Sequence, residues 1–195
     1  MGDERDPNYK NPGAAKARLT LFWCTNYKID TSKKVLDQAE KLLGEHNIGL
    51  DVYPGRTRTD KHTITVPADH LILPEEYNDL RLKAAAIFDD QKTPDKRQRL
   101  PVFFCEFKDV GHGITVITKK PGDPSGSTWL PYCLVSGVID NDNATLVHEL
   151  GHAAHNSGVH SPDLGHVMHN APAAKARTII DKIWVQIYAR GYYVK

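Results

Sequence analysis

An alternation constrains this chain most. Short apolar, strand-like runs are interleaved with stretches whose apolar residues recur at helical spacing. Residues 18–25 (Arg-Leu-Thr-Leu-Phe-Trp-Cys-Thr), 50–53, 63–66, 71–73, 100–106, 113–118 and 131–139 read as strands. Thr31 can cap a helix that places Val35, Leu36, Ala39, Leu42 and Leu43 on one side and stops at Gly44. Pro74 can start a second helix, through about Phe88, with Leu80, Ala84, Ile87 and Phe88 together. A third follows the turn at Asp140-Asn-Asp-Asn143. Asp142 or Asn143 caps it, and Val147, Leu150, Gly151 and Ala154 form its inward stripe. A last helix, over about 173–190, carries Ile179, Ile180, Ile183, Trp184 and Ile187 and ends at Gly191. Mixed strands and helices without internal repeats predict an α/β or α+β fold on one main sheet.

The chain has 195 residues, enough for one domain with a core that needs no disulfide staples. Residues 1–17 are polar, with Pro7, Pro12 and Gly13, and read as an arm. Residues 18–195 read as a single catalytic domain with a cleft between 18–156 and 157–195. No run approaches the roughly 20 apolar residues of a membrane helix. A formal net charge of +1 removes the electrostatic footprint of a dedicated nucleic-acid binder. Lys92, Lys96, Arg97 and Arg99 lie in a charged segment, 89–99, which reads as a solvated loop. Cys24, Cys105 and Cys133 each sit in an apolar run and read as buried thiols. A Cys105–Cys133 disulfide would need their strands to be neighbours. With no apolar leader after Met1, the expected location is the cytoplasm, or outside the cell if a leader was trimmed.

Six of the ten histidines fall between residues 148 and 169. Residues 148–152 read His-Glu-Leu-Gly-His, on a stretch with helical periodicity and a cap. Residues four apart on a helix share a face, about 6 Å apart along the axis, so His148 and His152 can converge on one metal ion. Glu149 points to the adjacent face, where it can reach a water without ligating. The pattern also arises by chance, and a His-rich chain raises that rate. The helical context and the further potential ligands nearby favour a metal site. Three residues compete for the third ligand: His155, His160 and Asp163. His155 lies about 10 Å along the axis from His148, too far to share an ion with it. The ligand is therefore expected beyond a turn. Gly158 supplies that turn, since glycine accepts a positive φ freely. His160 follows it and is preferred over Asp163.

The stretch His148-Glu-Leu-Gly-His152-Ala-Ala-His-Asn-Ser-Gly158-Val-His160-Ser-Pro-Asp-Leu-Gly-His-Val-Met168 resembles the signature of the metzincin zinc peptidases. That signature is HExxHxxGxxH followed by a Met-turn. Gly158-Val-His160-Ser is similar to the Gly-x-x-His-Ser of the matrixin branch, shortened by one residue. Met168 lies eight residues past His160, which resembles the matrixin Met-turn spacing. Val138 to Val147 resembles the clan's approach to its active-site helix. Five residues, not two, separate His152 from the glycine, and one, not two, separates the glycine from His160. Some metzincins carry a Tyr two residues after the Met; here it is Asn170. Over about residues 18–192 the resemblance implies a twisted, mostly parallel sheet with an antiparallel edge strand. It also implies a backing helix, an active-site helix, a Met-turn and a C-terminal helix.

The resemblance and the residues together predict a zinc metalloendopeptidase, a hydrolase. One catalytic zinc is held by His148, His152 and His160, and Glu149 is the general base. The expected partner is a protein or peptide substrate lying along the 113–118 strand, with no nucleic acid and no membrane, and the protein is expected to be a monomer. His166 and His169 read as surface or Met-turn residues. The competing reading is a catalytically inactive, metal-stabilised binding or regulatory domain. Its site would hold four protein ligands, Asp163 included.

Overall fold

The apolar run at 100–105 forms the strand at the centre of the sheet. Leu100–Phe107 is apolar at almost every position and is buried on both faces through Cys105. That is the pattern of a parallel strand covered on both sides. The computed structural model describes residues 15–24, 33–45, 48–53, 64–67, 78–84, 99–108, 113–119, 124–125, 129–136, 144–155, 158–162 and 166–169. In chain order these form β1 (Ala15–Cys24), α1 (Lys33–Gly44), β2 (Ile48–Tyr53), β3 (Thr65–Val66), a helical segment α2 (78–84), β4 (Leu100–Phe107), β5 (Gly113–Lys119), β6 (Trp129–Ser136) and α3 (Thr145–His155). Among the described residues no helix is long and apolar enough to cross a membrane.

The sheet runs β2-β1-β4-β6-β5, and β3 pairs with the end of β4 beyond β1. Every pairing is parallel except β5 with β6, so the fold is mixed α/β on a mostly parallel sheet. The antiparallel strand β5 ends the order, as expected for 113–118.

One face of the sheet (Leu19, Leu21, Trp23, Val102, Phe104, Cys133, Val135) packs against α1 and α3. The α1 residues there are Val35, Ala39, Leu42 and Leu43, as their spacing predicts, and α3 adds Leu146, Val147, Leu150 and Ala154. The other face carries Phe22, Phe103, Tyr132 and Leu134 and packs against Leu80 and Ala84 of α2.

The structure corrects several boundaries. β1 begins at Ala15, inside the expected arm, because backbone pairing with β2 starts at Ala15↔Ile48. β6 begins at Trp129 rather than 131, drawn out by its pairing with Lys119 of β5. Arg99 is no solvated loop cation. It is buried and reaches Asp51 on β2, Nη2 to Oδ2 at 3.0 Å. All three cysteines are buried thiols, none of them in a disulfide. β4 and β6 are neighbours, but Cys133 pairs with Val102 and Cys105 with Ser136, and the two thiols lie in cores on opposite faces. The expected arm through residue 14, the strand at 71–73, the basic residues 92–97 and the helix at 173–190 lie outside the described residues.

Candidate metal centre

α3 starts where the carbonyl of Ala144 accepts the amide of His148 at 2.8 Å. The cap position is therefore Ala144, one residue past Asn143 and two past Asp142, the expected candidates. Leu146, Val147, Leu150 and Ala154 hold the helix onto the sheet. With that face fixed, the histidines at i and i+4 are fixed too.

His148 is half-buried, His152 buried and His160 exposed, and one ring nitrogen from each converges. His152 Nε2 lies 2.9 Å from His148 Nε2 and 3.2 Å from His160 Nε2, and all three lie within 4.8 Å of one another. Nitrogens sharing a tetrahedral ion at about 2.0–2.1 Å stand roughly 3.3 Å apart. Hydrogen bonding alone explains the cluster poorly. His152 Nε2 enters both short contacts and can carry only one proton.

The ring of His148 has its tautomer set by the chain. Its Nδ1 lies 2.7 Å from the carbonyl of Val167, which can only accept, so Nδ1 carries the hydrogen. The lone pair is left on Nε2, facing the other two rings. A metal-binding histidine is ordinarily oriented this way. Partial removal from water, and then the neighbouring His169, hold the His160 imidazole below its usual value. That favours the neutral form, which a metal needs.

Val167 belongs to a tight turn in which His169 N donates to the His166 carbonyl at 3.0 Å. His166 is buried, and its Nδ1 accepts the amide of Met168 at 2.9 Å, so it is part of the turn and not a surface residue. Met168 is buried in the core that carries α3. Its carbonyl accepts the amide of Ser161 at 2.9 Å, which ties the strand-like stretch after His160 to the turn.

Glu149 is buried and stands outside the converging set. Thr115 of β5 lies against it, Oγ1 2.5 Å from Glu149 Oε2 and 3.0 Å from the Glu149 carbonyl. Burial pushes the Glu149 carboxyl up to about 8, and the Thr115 hydroxyl opposes the shift. A cation on the neighbouring histidines would act in the same direction as the hydroxyl. Cys133, paired with Thr115 across β5 and β6, keeps its proton. Burial, and then the Glu149 charge, push its thiol well up.

Of the residues predicted from sequence, His148, His152 and His160 are brought together and Glu149 lies beside them in the chain. The side chain of His155, and Asp163, lie outside the described residues. The turn expected ahead of Gly158 falls on residues outside the described ones, and a Cβ on Gly158 would meet nothing within 4 Å among the described residues. Sequence reasoning missed Thr115, Gly113 and the Val167 carbonyl. Thr115 lies 34 residues from Glu149, and only the register of β5 carries it there.

No protein-family model matches the chain, and no curated protein matches it.

Proposed function

We propose that the protein is a zinc-dependent endopeptidase of the metzincin type. The observation that carries this reading is the convergence of three imidazole nitrogens, with a buried carboxylate in the same helical turn that is not one of the converging groups. Among the described residues three nitrogens converge, and three leave a tetrahedral ion an open position, which a structural site would fill with a fourth protein ligand. The mostly parallel sheet with its antiparallel edge, and the buried Met168 in a turn after the third histidine, are what the resemblance implies.

When bound, a zinc ion supplies the Lewis acidity that polarises a scissile carbonyl and makes water acidic enough to lose a proton near neutral pH. The chain's own residues do the rest. His148, held by Val167, and His152, held by the α3 packing, define the position of the centre. Glu149 accepts the proton of the attacking water and delivers it to the departing amine. The substrate lies extended along β5, whose outer edge offers main-chain hydrogen bonds.

The test is metal analysis and peptide hydrolysis of the wild type beside Glu149→Ala. The expected result is about one zinc per chain in both and hydrolysis in the wild type alone, lost by more than roughly 100-fold in the variant. Equal cleavage by the two proteins would overturn the assignment of Glu149. Metal without cleavage in the wild type would favour a binding or regulatory domain.

A further inference from the structure

Two alternate residues of β5, Gly113 and Thr115, press on the Glu149 side chain. A Cβ built at Gly113 would stand 2.6 Å from Glu149 Oε1 and 2.8 Å from its Cγ. Only a residue without a side chain lets the carboxyl lie this close to the strand. Two residues on, the Thr115 hydroxyl reaches the other oxygen, Oε2. A hydroxyl has one proton to give. When Glu149 is ionised, its carboxylate competes for that proton with the Glu149 carbonyl, which stands farther off, and the shorter contact to a charged acceptor is the stronger. Thr115 is held in turn by the ladder, opposite Cys133, whose sulfur is 3.6 Å from Oγ1. Its β-branched side chain has few rotamers to sample.

We propose that Thr115 is a positioning residue for the Glu149 carboxylate. It holds Oε2, while the gap at Gly113 receives the Oε1 side of the group. One strand would then orient the base and, on its outer edge, receive the substrate, so both are referred to the same backbone. The inference rests on the reading of Glu149 as general base, and it concerns what keeps that base in one orientation. A buried carboxylate with no directional partner on β5 would sample other rotamers, and a displacement of about 1 Å at a reacting group costs on the order of 100-fold in rate.

The test uses Thr115→Val, which keeps the shape and removes the hydroxyl, and Thr115→Ser, which keeps the hydroxyl. Three quantities are read: zinc content, kcat and KM on an unstructured peptide, and the Glu149 carboxyl resonance of metal-free protein labelled with 13C-glutamate, recorded above pH 9, where the carboxyl raised to about 8 is ionised. Glu149→Gln identifies that resonance by its loss. In Thr115→Val, zinc content should be unchanged, kcat should fall roughly 10- to 100-fold and KM should stay within about twofold, the size expected for one hydrogen bond to a charged group. The Glu149 resonance should shift or broaden. Thr115→Ser should restore both readouts. A Val variant with wild-type kcat and an unmoved resonance overturns the proposal. So does a Ser variant as impaired as Val with zinc intact, since packing would then be the whole role. If the wild type cleaves nothing, the peptidase reading fails and the resonance decides alone. Movement in Val reversed in Ser supports the positioning contact, and an unmoved line overturns it.

Discussion

A methyl group added at Gly113 would stand 2.6 Å from Glu149 Oε1 and 2.8 Å from Thr145 Cγ2, whereas one added at Gly158 would meet nothing within 4 Å. The two glycines should therefore respond oppositely. Gly113→Ala must displace the carboxylate or the start of α3, with an overpacking cost of about 1–3 kcal/mol. Gly158→Ala should stay within about 0.5 kcal/mol of wild type, as an exposed substitution with open space around it among the described residues. Thermal denaturation of both variants checks this, and a Gly158→Ala loss as large as that of Gly113→Ala would contradict it. The same scale holds the proposed third ligand. His160→Ala removes one of three converging nitrogens and should lower zinc affinity sharply, by isothermal titration, without loss of the fold. His160 is exposed and buries little, so the cost belongs to the metal rather than to the core.

At the scale of elements, the centre is a junction between α3 and the turn at 166–169. Val167 gives its carbonyl to His148, and Met168 anchors the turn in the core shared by α1, α3 and the sheet. Packing and ligand orientation are coupled through two adjacent residues. Met168→Leu conserves volume and should cost less than about 1.5 kcal/mol. Met168→Ala leaves a cavity and should cost about 2–5 kcal/mol. The alanine variant should also bind zinc more weakly, because the Val167 carbonyl moves with its neighbour and His148 loses its fixed tautomer. Zinc titration of the two variants separates the effects. Equal affinity in Met168→Ala and wild type would show that the turn orients nothing. Arg99 illustrates the same dependence on neighbours. A guanidinium that reads as loop charge becomes the bridge from the start of β4 to Asp51, because β1 and β2 lie alongside.

At the scale of the molecule, a metal that binds the folded chain alone must stabilise it. At free zinc 100-fold above its Kd the gain is about 2.7 kcal/mol. For a chain of this size that raises Tm by roughly 5–10 °C. Calorimetry with zinc and then with excess chelator should show the increment appear and vanish, and His152→Ala should lack it. Its pH dependence has a definite sign. Protons and metal compete for the same imidazole lone pairs, so acid opposes binding. His160 is held below its ordinary value, near 6.5, so at pH 7 its lone pair is free. The zinc-dependent rise in Tm should be full at pH 7 and above and shrink as pH falls below about 6.5. An increment that grew as the pH fell would contradict imidazole ligands.

Sequence alone determined what depends on local periodicity and local spacing. The α1 stripe from Val35 to Leu43, the strand at 100–106, and the placing of His148 and His152 on one helical face follow from helical periodicity and short apolar runs that any reader of the chain can count. His160 was legible as the preferred third ligand because axial rise disfavours His155. Tertiary structure decided what depends on register between distant segments. Thr115 and Gly113 meet Glu149 because β5 runs antiparallel to β6 in one particular alignment, and a slip of one residue would turn Thr115 to the opposite face. The Val167 carbonyl reaches His148 because the turn at 166–169 packs beneath α3, and Arg99 finds Asp51 across an intervening strand. Contacts between segments far apart in the chain carry no periodic signal in sequence. Their geometry is set by the packing of the whole sheet and its helices.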